Sequence, residues 1–193
     1  VSHMTSVPES CVELMSFSPC RAPAVGPERA VMVRSTVAHI DLAAIRANVL
    51  AIRAYLAAEP LDGRPAPKLI AVVKANAYGH GAVPIAREAV AAEVDGLCVA
   101  LVSEGVELRR AGIDSPILIF SEQPEAEIDD IVGHGLTPTV YRTSYIERLA
   151  DAVRRAASSQ LDVHLKIDTG MHRAGADPAE ATRLVDLIAR HDD

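Results

Sequence analysis

Short apolar runs alternate with segments of helical periodicity along most of this chain. The run at 69–73 lacks the polar alternation of a half-exposed strand, so it predicts a buried parallel strand. Further runs predict strands at 96–100, 117–120, 137–141 and 161–168. Between and after them, the pattern predicts helices at 82–92, 103–111, 124–132, 143–157 and 178–191.

The segment ahead of the first run shows a similar pattern. Residues 35–41 alternate weakly, as an edge strand does, and Asp41 is expected to cap a helix at 42–58. Apolar residues at three- and four-residue spacing would form one face of that helix: Leu42, Ile45, Val49, Ile52 and Leu56. Farther along, Ser103 is expected to cap the helix at 103–111 and Gly112 to end it.

The order of these elements predicts the fold class. Alternating strands and helices indicate an α/β protein with a parallel sheet and right-handed crossovers. The repeat of about 20–27 residues is close to that of a (β/α)8 barrel of roughly 250 residues. About five units fit here, so a TIM-type barrel would be incomplete. An open doubly wound sheet is the alternative, but Gly79-His80-Gly81 does not match the phosphate-binding fingerprint expected after its first strand.

Composition narrows the function classes. A net charge of -7 and a pI of about 5.5 argue against a nucleic-acid or anionic membrane surface. No apolar run has the roughly 18–20 residues of a membrane span. The three cysteines show no CxxC or Cys/His metal spacing, which indicates a reduced, cytoplasmic compartment and no metal site. Cys98 is expected to be a small core hydrophobe.

Residues 1–35 are expected to be a disordered leader. They carry several prolines and no periodicity, and Ser2-His3-Met4 has the form of a cloning scar. The domain is therefore expected to occupy 36–193.

Lys74 follows the first predicted strand, where α/β folds place their chemistry. A lysine amine is a nucleophile when neutral, and burial or positive neighbours favour that form. Tyr78 can offer a hydroxyl at the same mouth of the barrel as Lys74. Gly79 and Gly81 let the backbone approach an anion closely. The alternative is a solvated lysine followed by turn glycines.

A second group of polar residues begins within the last predicted strand and continues on the loop after it. Strand alternation places Lys166 and Asp168 on the face that would point into a barrel mouth, and Arg173 comes on the next loop. The alternative is an ordinary ion pair between Lys166 and Asp168. His80 and His172 flank the two groups and are expected to be solvated.

These two stretches, Lys74-Ala-Asn-Ala-Tyr-Gly-His-Gly81 and His164-Leu-Lys-Ile-Asp-Thr-Gly-Met-His-Arg-Ala-Gly175, resemble the two signatures of the alanine racemase family. The resemblance implies that Lys74 carries pyridoxal 5'-phosphate as an internal aldimine and serves as one of two catalytic bases. It implies that Tyr78 lies near the cofactor phosphate. It also implies that a carbamylated Lys166 orients Arg173, which bonds the cofactor's phenolic oxygen and the substrate carboxylate.

The resemblance implies racemisation of L-alanine to D-alanine by a cytoplasmic enzyme that is a homodimer at full length. In that family the second base is a tyrosine of the partner's C-terminal domain. This chain is therefore expected to be the N-terminal part of the barrel, with a C-terminal β domain absent. Three alternatives stay open: a serine racemase or amino-acid decarboxylase of the same fold, a non-catalytic protein that binds the cofactor, and a purely structural α/β domain.

Overall fold

A computed structural model describes residues 37–58, 67–156 and 160–191. The described residues from His39 onward belong to one compact unit, His39–Asp193. Its centre is a parallel sheet of five strands in the order β1-β2-β3-β4-β5. The strands are β1 Ile70–Val72, β2 Gly96–Val99, β3 Ile117–Ile119, β4 Thr137–Val140 and β5 His164–Leu165. Each pairs in parallel with its neighbour in the chain.

Helices precede and follow the strands. They are α1 Leu42–Ala58, α2 Lys74–Tyr78, α3 Ala82–Ala91, α4 Val102–Arg110, α5 Ile128–Gly133, α6 Thr143–Arg155 and α7 Ala181–Ala189. The strands lie side by side in sequence order. In a doubly wound sheet, by contrast, the strand order reverses at a switch point. The predicted fold class, an incomplete TIM-type barrel, is confirmed, and the doubly wound alternative is wrong.

The core lies between the sheet and its helices. Its largest fully buried side chains include Leu97, Ile117 and Ile119 from the strands, and Leu108 and Leu136 from the elements beside them. On α6, buried residues recur at helical spacing because one face of the helix packs on the sheet: Tyr145, Ile146, Leu149 and Ala152. This packing fixes the carboxyl ends of the strands, where the candidate residues lie.

The burial of the first strand differs from the prediction. Ile70 and Val72 are 39% and 36% exposed, and Val73, just after the strand, is buried. The reason is that β1 is an edge strand of the described sheet, so its outer side has no neighbouring strand there. In α1, Leu42, Ile45 and Val49 pack against the core as expected, but Ile52 is 48% exposed.

Several boundaries also differ. The edge strand predicted at 35–41 is wrong over 37–41, which have no regular structure, and its first two residues lie outside the described residues. Asp41 nevertheless caps α1 by accepting a hydrogen bond from Ala44 N at 3.0 Å. The last strand is shorter than predicted, and 3-10 turns at Glu125–Glu127 and Pro178–Glu180 precede α5 and α7. The predicted leader, 1–35, lies outside the described residues. No helix in the described part of the chain has the length and apolar character to cross a membrane.

Candidate functional site

Lys74 lies at the carboxyl end of β1, immediately after the buried Val73. Its Nζ is 5.6 Å from the centroid of the Phe120 ring and 6.0 Å from that of the Tyr78 ring. Both distances fall within the range of a cation–π contact. The predicted pair of Lys74 and Tyr78 therefore meets in space, and the Lys74 amine also lies beside Phe120, the residue that follows β3.

Lys166 approaches the same ring from the end of β5, the strand at the other end of the described sheet from β1. Its backbone N donates to Val140 O at 2.9 Å, which extends the β4–β5 pairing to this residue. Its Nζ is 5.9 Å from the Phe120 ring centroid and 3.4 Å from Phe120 O. The two lysines of the two predicted motifs thus converge on Phe120.

Phe120 was not among the residues predicted from the sequence. Its position as the last residue of the predicted strand at 117–120 was the available signal, since the carboxyl ends of parallel strands meet at one edge of a sheet. The conformation of the backbone that follows Lys74 was not predicted either. Residues Ala75, Asn76, Ala77 and Tyr78 all have positive φ, between 50° and 55°, so α2 contains a left-handed turn.

Hydrogen bonds close this left-handed turn onto α3. Asn76 Oδ1 accepts from Ala82 N at 2.7 Å, and Asn76 O accepts from Gly79 N and Gly81 N at 3.0 and 2.9 Å. Tyr78 is left 61% exposed. Its hydroxyl is therefore accessible to a ligand. His80, predicted to be solvated, is exposed, and one of its ring nitrogens lies 2.8 Å from Ala77 O.

Carboxylate and amide side chains connect the loops at this edge of the sheet. Glu104 Oε1 accepts from Ala75 N at 2.6 Å, while Glu104 Oε2 accepts from Ala100 N at 2.8 Å. Gln123, which is buried, donates from Nε2 to Ala100 O at 3.1 Å. These residues were also missed, although Glu104 is the third residue of α4, where a glutamate commonly bonds back to the backbone ahead of its helix. Ser103 was predicted to cap this helix, but the contact to the backbone ahead of α4 comes from Glu104 and not from Ser103.

Glu122 has an equivalent role one strand farther along. Its side chain is 1% exposed and pairs with Arg142. Its Oε1 accepts from Tyr141 N and Arg142 N, both at 2.7 Å. The loops that follow β3 and β4 are therefore joined by one buried carboxylate, which rigidifies the edge that carries Phe120.

Asp168 organises the loop that carries Arg173. Its Oδ1 accepts from Gly170 N at 2.9 Å and from His172 N at 3.0 Å. These two backbone hydrogen bonds hold the pKa of the Asp168 carboxyl below its ordinary value of 3.8. The predicted alternative, an ion pair between Lys166 and Asp168, is wrong, because Asp168 bonds its own loop and lies 3.4 Å from His172 Nδ1.

Arg173 is exposed on this loop, and it makes no hydrogen bond or ion pair within 37–58, 67–156 and 160–191. The structure therefore brings Lys74, Tyr78 and Lys166 together and leaves the guanidinium of Arg173 available. His172 is exposed as predicted, with Nδ1 toward Asp168.

Two cationic side chains, Lys74 and Lys166, lie beside the Phe120 ring. Cys98, buried in the middle of β2 as predicted, is influenced by both lysines: burial raises the pKa of its thiol to about 11, and the positive charges of Lys74 and Lys166 act in the lowering direction. Within the described part of the chain, no cluster of His, Cys, Asp or Glu side chains has the arrangement to hold a metal ion. A primary amine, a second cation and a phenol therefore form a site suited to an anionic carbonyl compound.

Comparison with known proteins identifies the family to which the chain is similar. Residues 40–193 match the family model for the N-terminal domain of alanine racemase. The alanine racemase of Sorangium cellulosum is 40% identical over 162 residues, which are 82% of this chain and 41% of that protein. That of Symbiobacterium thermophilum is 42% identical over 160 residues, or 83% of this chain and 40% of that protein.

A solved structure gives the same result. The alanine racemase of a D-cycloserine-producing Streptomyces lavendulae superposes with a TM-score of 0.71 and 37% identity, over 79% of this chain and 37% of that one. The chain thus spans about two fifths of the length of the relatives that it matches.

Proposed function

Because the chain belongs to the alanine racemase family, we propose that the protein that carries it interconverts L- and D-alanine with pyridoxal 5'-phosphate attached to Lys74. One observation carries the proposal. Two lysines that are far apart in sequence, Lys74 after β1 and Lys166 after β5, approach the same Phe120 ring. An ordinary solvated lysine would not need such a partner.

The chemistry of the side chains fits the cofactor. Lys74 supplies the primary amine that can bond an aldehyde carbon, and the Tyr78 hydroxyl is accessible beside it to donate to a phosphate oxygen. Phe120 offers an apolar surface for an aromatic ring. When bound, pyridoxal phosphate supplies a conjugated system that delocalises the charge left when the α-proton of the amino acid departs.

The roles of the chain's own residues follow from their positions. Lys74, released from the cofactor, would hold the proton that moves to or from the α-carbon on one face. Arg173 would bind the carboxylate of alanine, since a guanidinium fork matches a carboxylate in two parallel hydrogen bonds. Its exposed position, with no competing partner in the described residues, supports this role.

Lys166 has a different part in the proposal. As an ammonium it contacts Phe120 O at 3.4 Å, so its Nζ already points along the edge of the sheet where the site lies. Addition of carbon dioxide to the neutral amine, with release of one proton, would give an anionic carbamate that could pair with Arg173. Intact-mass measurement under mild conditions would detect this modification.

Racemisation needs a base on each face of the reacting carbon. By resemblance to the family, the second base is a tyrosine from the C-terminal domain of the partner subunit. The proposal therefore includes a homodimer, located in the cytoplasm, in which Lys74 acts on one face and the partner on the other.

The test compares Lys74→Ala with Lys68→Ala in the complete protein that carries this chain. Lys68 is an exposed lysine of the same loop-to-strand segment, so it controls for loss of charge. After borohydride reduction, peptide mapping should find the cofactor on Lys74 in the unchanged protein and in Lys68→Ala. Lys74→Ala should lose this label, and D-alanine formation should fall by about 100- to 10,000-fold.

The outcomes separate the alternatives. A label on Lys74 without D-alanine formation would identify a cofactor carrier. Faster turnover of serine, or release of carbon dioxide from an amino acid, would identify a racemase of other specificity or a decarboxylase. No cofactor on Lys74 in the folded protein would overturn the proposal.

A further inference from the structure

The backbone that follows Lys74 is strained. Four consecutive non-glycine residues, Ala75 to Tyr78, have φ between 50° and 55°. For L-residues the left-handed conformation is energetically unfavourable, and such strain persists where surrounding contacts over-determine it. Only Asn76 among the four is a residue type that adopts this conformation readily. The turn therefore needs a holding contact from elsewhere in the fold.

Glu104 provides that contact. Its Oε1 accepts a hydrogen bond of 2.6 Å from Ala75 N, the amide directly after Lys74. Its Oε2 accepts from Ala100 N at 2.8 Å and from Leu101 N at 3.1 Å, at the end of β2. Hydrogen bonds to an ionised carboxylate are shorter and about twice as strong as neutral ones. A single side chain thus ties the first strained peptide to the neighbouring strand.

The division between the two oxygens separates two roles. The contacts of Oε2 complete the start of α4, as a glutamate at the third helical position does in many helices. The contact of Oε1 belongs to a different connection, the one between β1 and α3. An N-terminal cap alone would not require it. This extra contact fixes the direction in which the Lys74 main chain leaves the strand.

We propose that Glu104 is a positioning residue for Lys74: it holds the left-handed turn through Ala75 N and thereby aims the amine at the site beside Phe120. The proposal deepens the proposed function and rests on it for its catalytic consequence. Glu104 acts through the Lys74 backbone. Misplacement of a reacting group by about 1 Å can lower a rate by about 100-fold.

The test uses Glu104→Gln in the complete protein that carries this chain, with Glu107→Gln as the control. Glu107 lies one turn away on α4 and is exposed, so the control removes the same charge. We expect kcat to fall by about 10- to 100-fold in Glu104→Gln, with KM changed less than about threefold. Glu107→Gln should match the unchanged protein. Equal kcat in the two variants would overturn the proposal.

A second measurement does not depend on activity. Amide hydrogen exchange of the peptide covering 74–81 should become faster in Glu104→Gln than in Glu107→Gln, with or without added pyridoxal phosphate. This readout distinguishes the two proposals. Faster exchange in a protein that binds no cofactor would support the role of Glu104 and contradict the proposed function, whereas unchanged exchange would overturn the positioning role itself.

A rescue experiment excludes a purely structural cap. Glycine adopts the left-handed conformation without strain, so Ala75→Gly should relieve the turn that Glu104 holds. In the Glu104→Gln background, Ala75→Gly should restore kcat at least about threefold, because less strain then opposes the turn. If Glu104→Gln fails to fold, Ala75→Gly should restore folding. Absence of any rescue would assign Glu104 to the α4 cap alone and overturn the proposal.

Discussion

Gly175 lies directly against the backbone of Asp168. A Cβ at Gly175 would be 2.6 Å from Asp168 N and 2.9 Å from Ile167 C, distances at which one of the two segments must move. The approach is close because the loop returns to β5 here: Asp168 N donates to Ala176 O, and Ala176 N donates to Lys166 O, both at 2.8 Å. These contacts close the loop that carries Arg173.

Gly175→Ala should therefore destabilise the loop. The new methyl group would meet backbone atoms, and φ at this position is 136°, where L side chains are strained. We expect a loss of about 2–4 kcal/mol in the free energy of unfolding, measured by urea denaturation. Gly133→Ala is the control, because a Cβ there meets nothing within 4 Å. A loss below about 0.5 kcal/mol in Gly175→Ala would contradict this interpretation of the contact.

The same loop should respond to acid through Asp168. Its pKa is lowered by the hydrogen bonds from Gly170 N and His172 N, so ionised Asp168 stabilises the folded loop. The stabilisation is complete above the ordinary pKa of 3.8 and is lost as the pH falls through the lower folded value. The amide resonances of Gly170 and His172 should therefore shift together at a pH below 3.8.

Asp168→Asn should abolish that acid transition, because an amide has no proton to gain in this range. Asp186→Asn, an exposed aspartate on α7, should leave the transition unchanged. A joint shift of the two resonances centred at or above 3.8 in the unchanged protein would show that the carboxylate is not the group that holds the loop.

The order of elements was predictable because each strand and helix has its own apolar pattern. The strands at 96–100, 117–120 and 137–141 were found nearly at their observed bounds, since their residues are buried by neighbours on both sides. The burial of β1 was predicted wrongly, because exposure of an edge strand depends on its neighbours and not on its own residues.

The conformation after Lys74 was not predictable from its local residues. Alanine and tyrosine avoid the left-handed region, so Ala75, Ala77 and Tyr78 gave no sign of it. The turn depends on Glu104, which lies farther along the chain. Phe120 was missed for a related reason: one apolar residue at the end of a strand looks like core until two lysines are seen beside it.

Arg109 on α4 should be a strong determinant of stability. Its guanidinium donates to four backbone carbonyls at distances of 2.7 to 3.0 Å: Ile113 O, Ser115 O, His134 O and Gly135 O. Arg109→Lys keeps the charge but loses the planar fork, so most of these carbonyls lose their donor. We expect a loss of about 2–4 kcal/mol in the free energy of unfolding, measured by urea denaturation.

The matched control is Arg110→Lys, because Arg110 is the exposed next residue and has no such contacts within the described segments. It should change the free energy of unfolding by less than about 0.5 kcal/mol. Equal effects of the two substitutions would show that the carbonyls bond water as well as they bond Arg109.

Cys98 should be unreactive in the folded protein. Burial raises the pKa of its thiol from 9.0 to about 11, so the reactive thiolate is about 100-fold scarcer at pH 8 than for a free cysteine. Its contribution to stability is complete below pH 9.0 and declines as the pH rises through about 11, where the folded thiol ionises.

The measurement is labelling by a disulfide reagent at pH 8 in a Cys11→Ser, Cys20→Ser background, which leaves Cys98 as the only cysteine of residues 1–193. The folded protein should react at least about 100-fold more slowly than the same protein in urea, since both the thiolate fraction and access to β2 are reduced. Labelling at the rate of the unfolded chain would show that β2 opens freely in the folded protein.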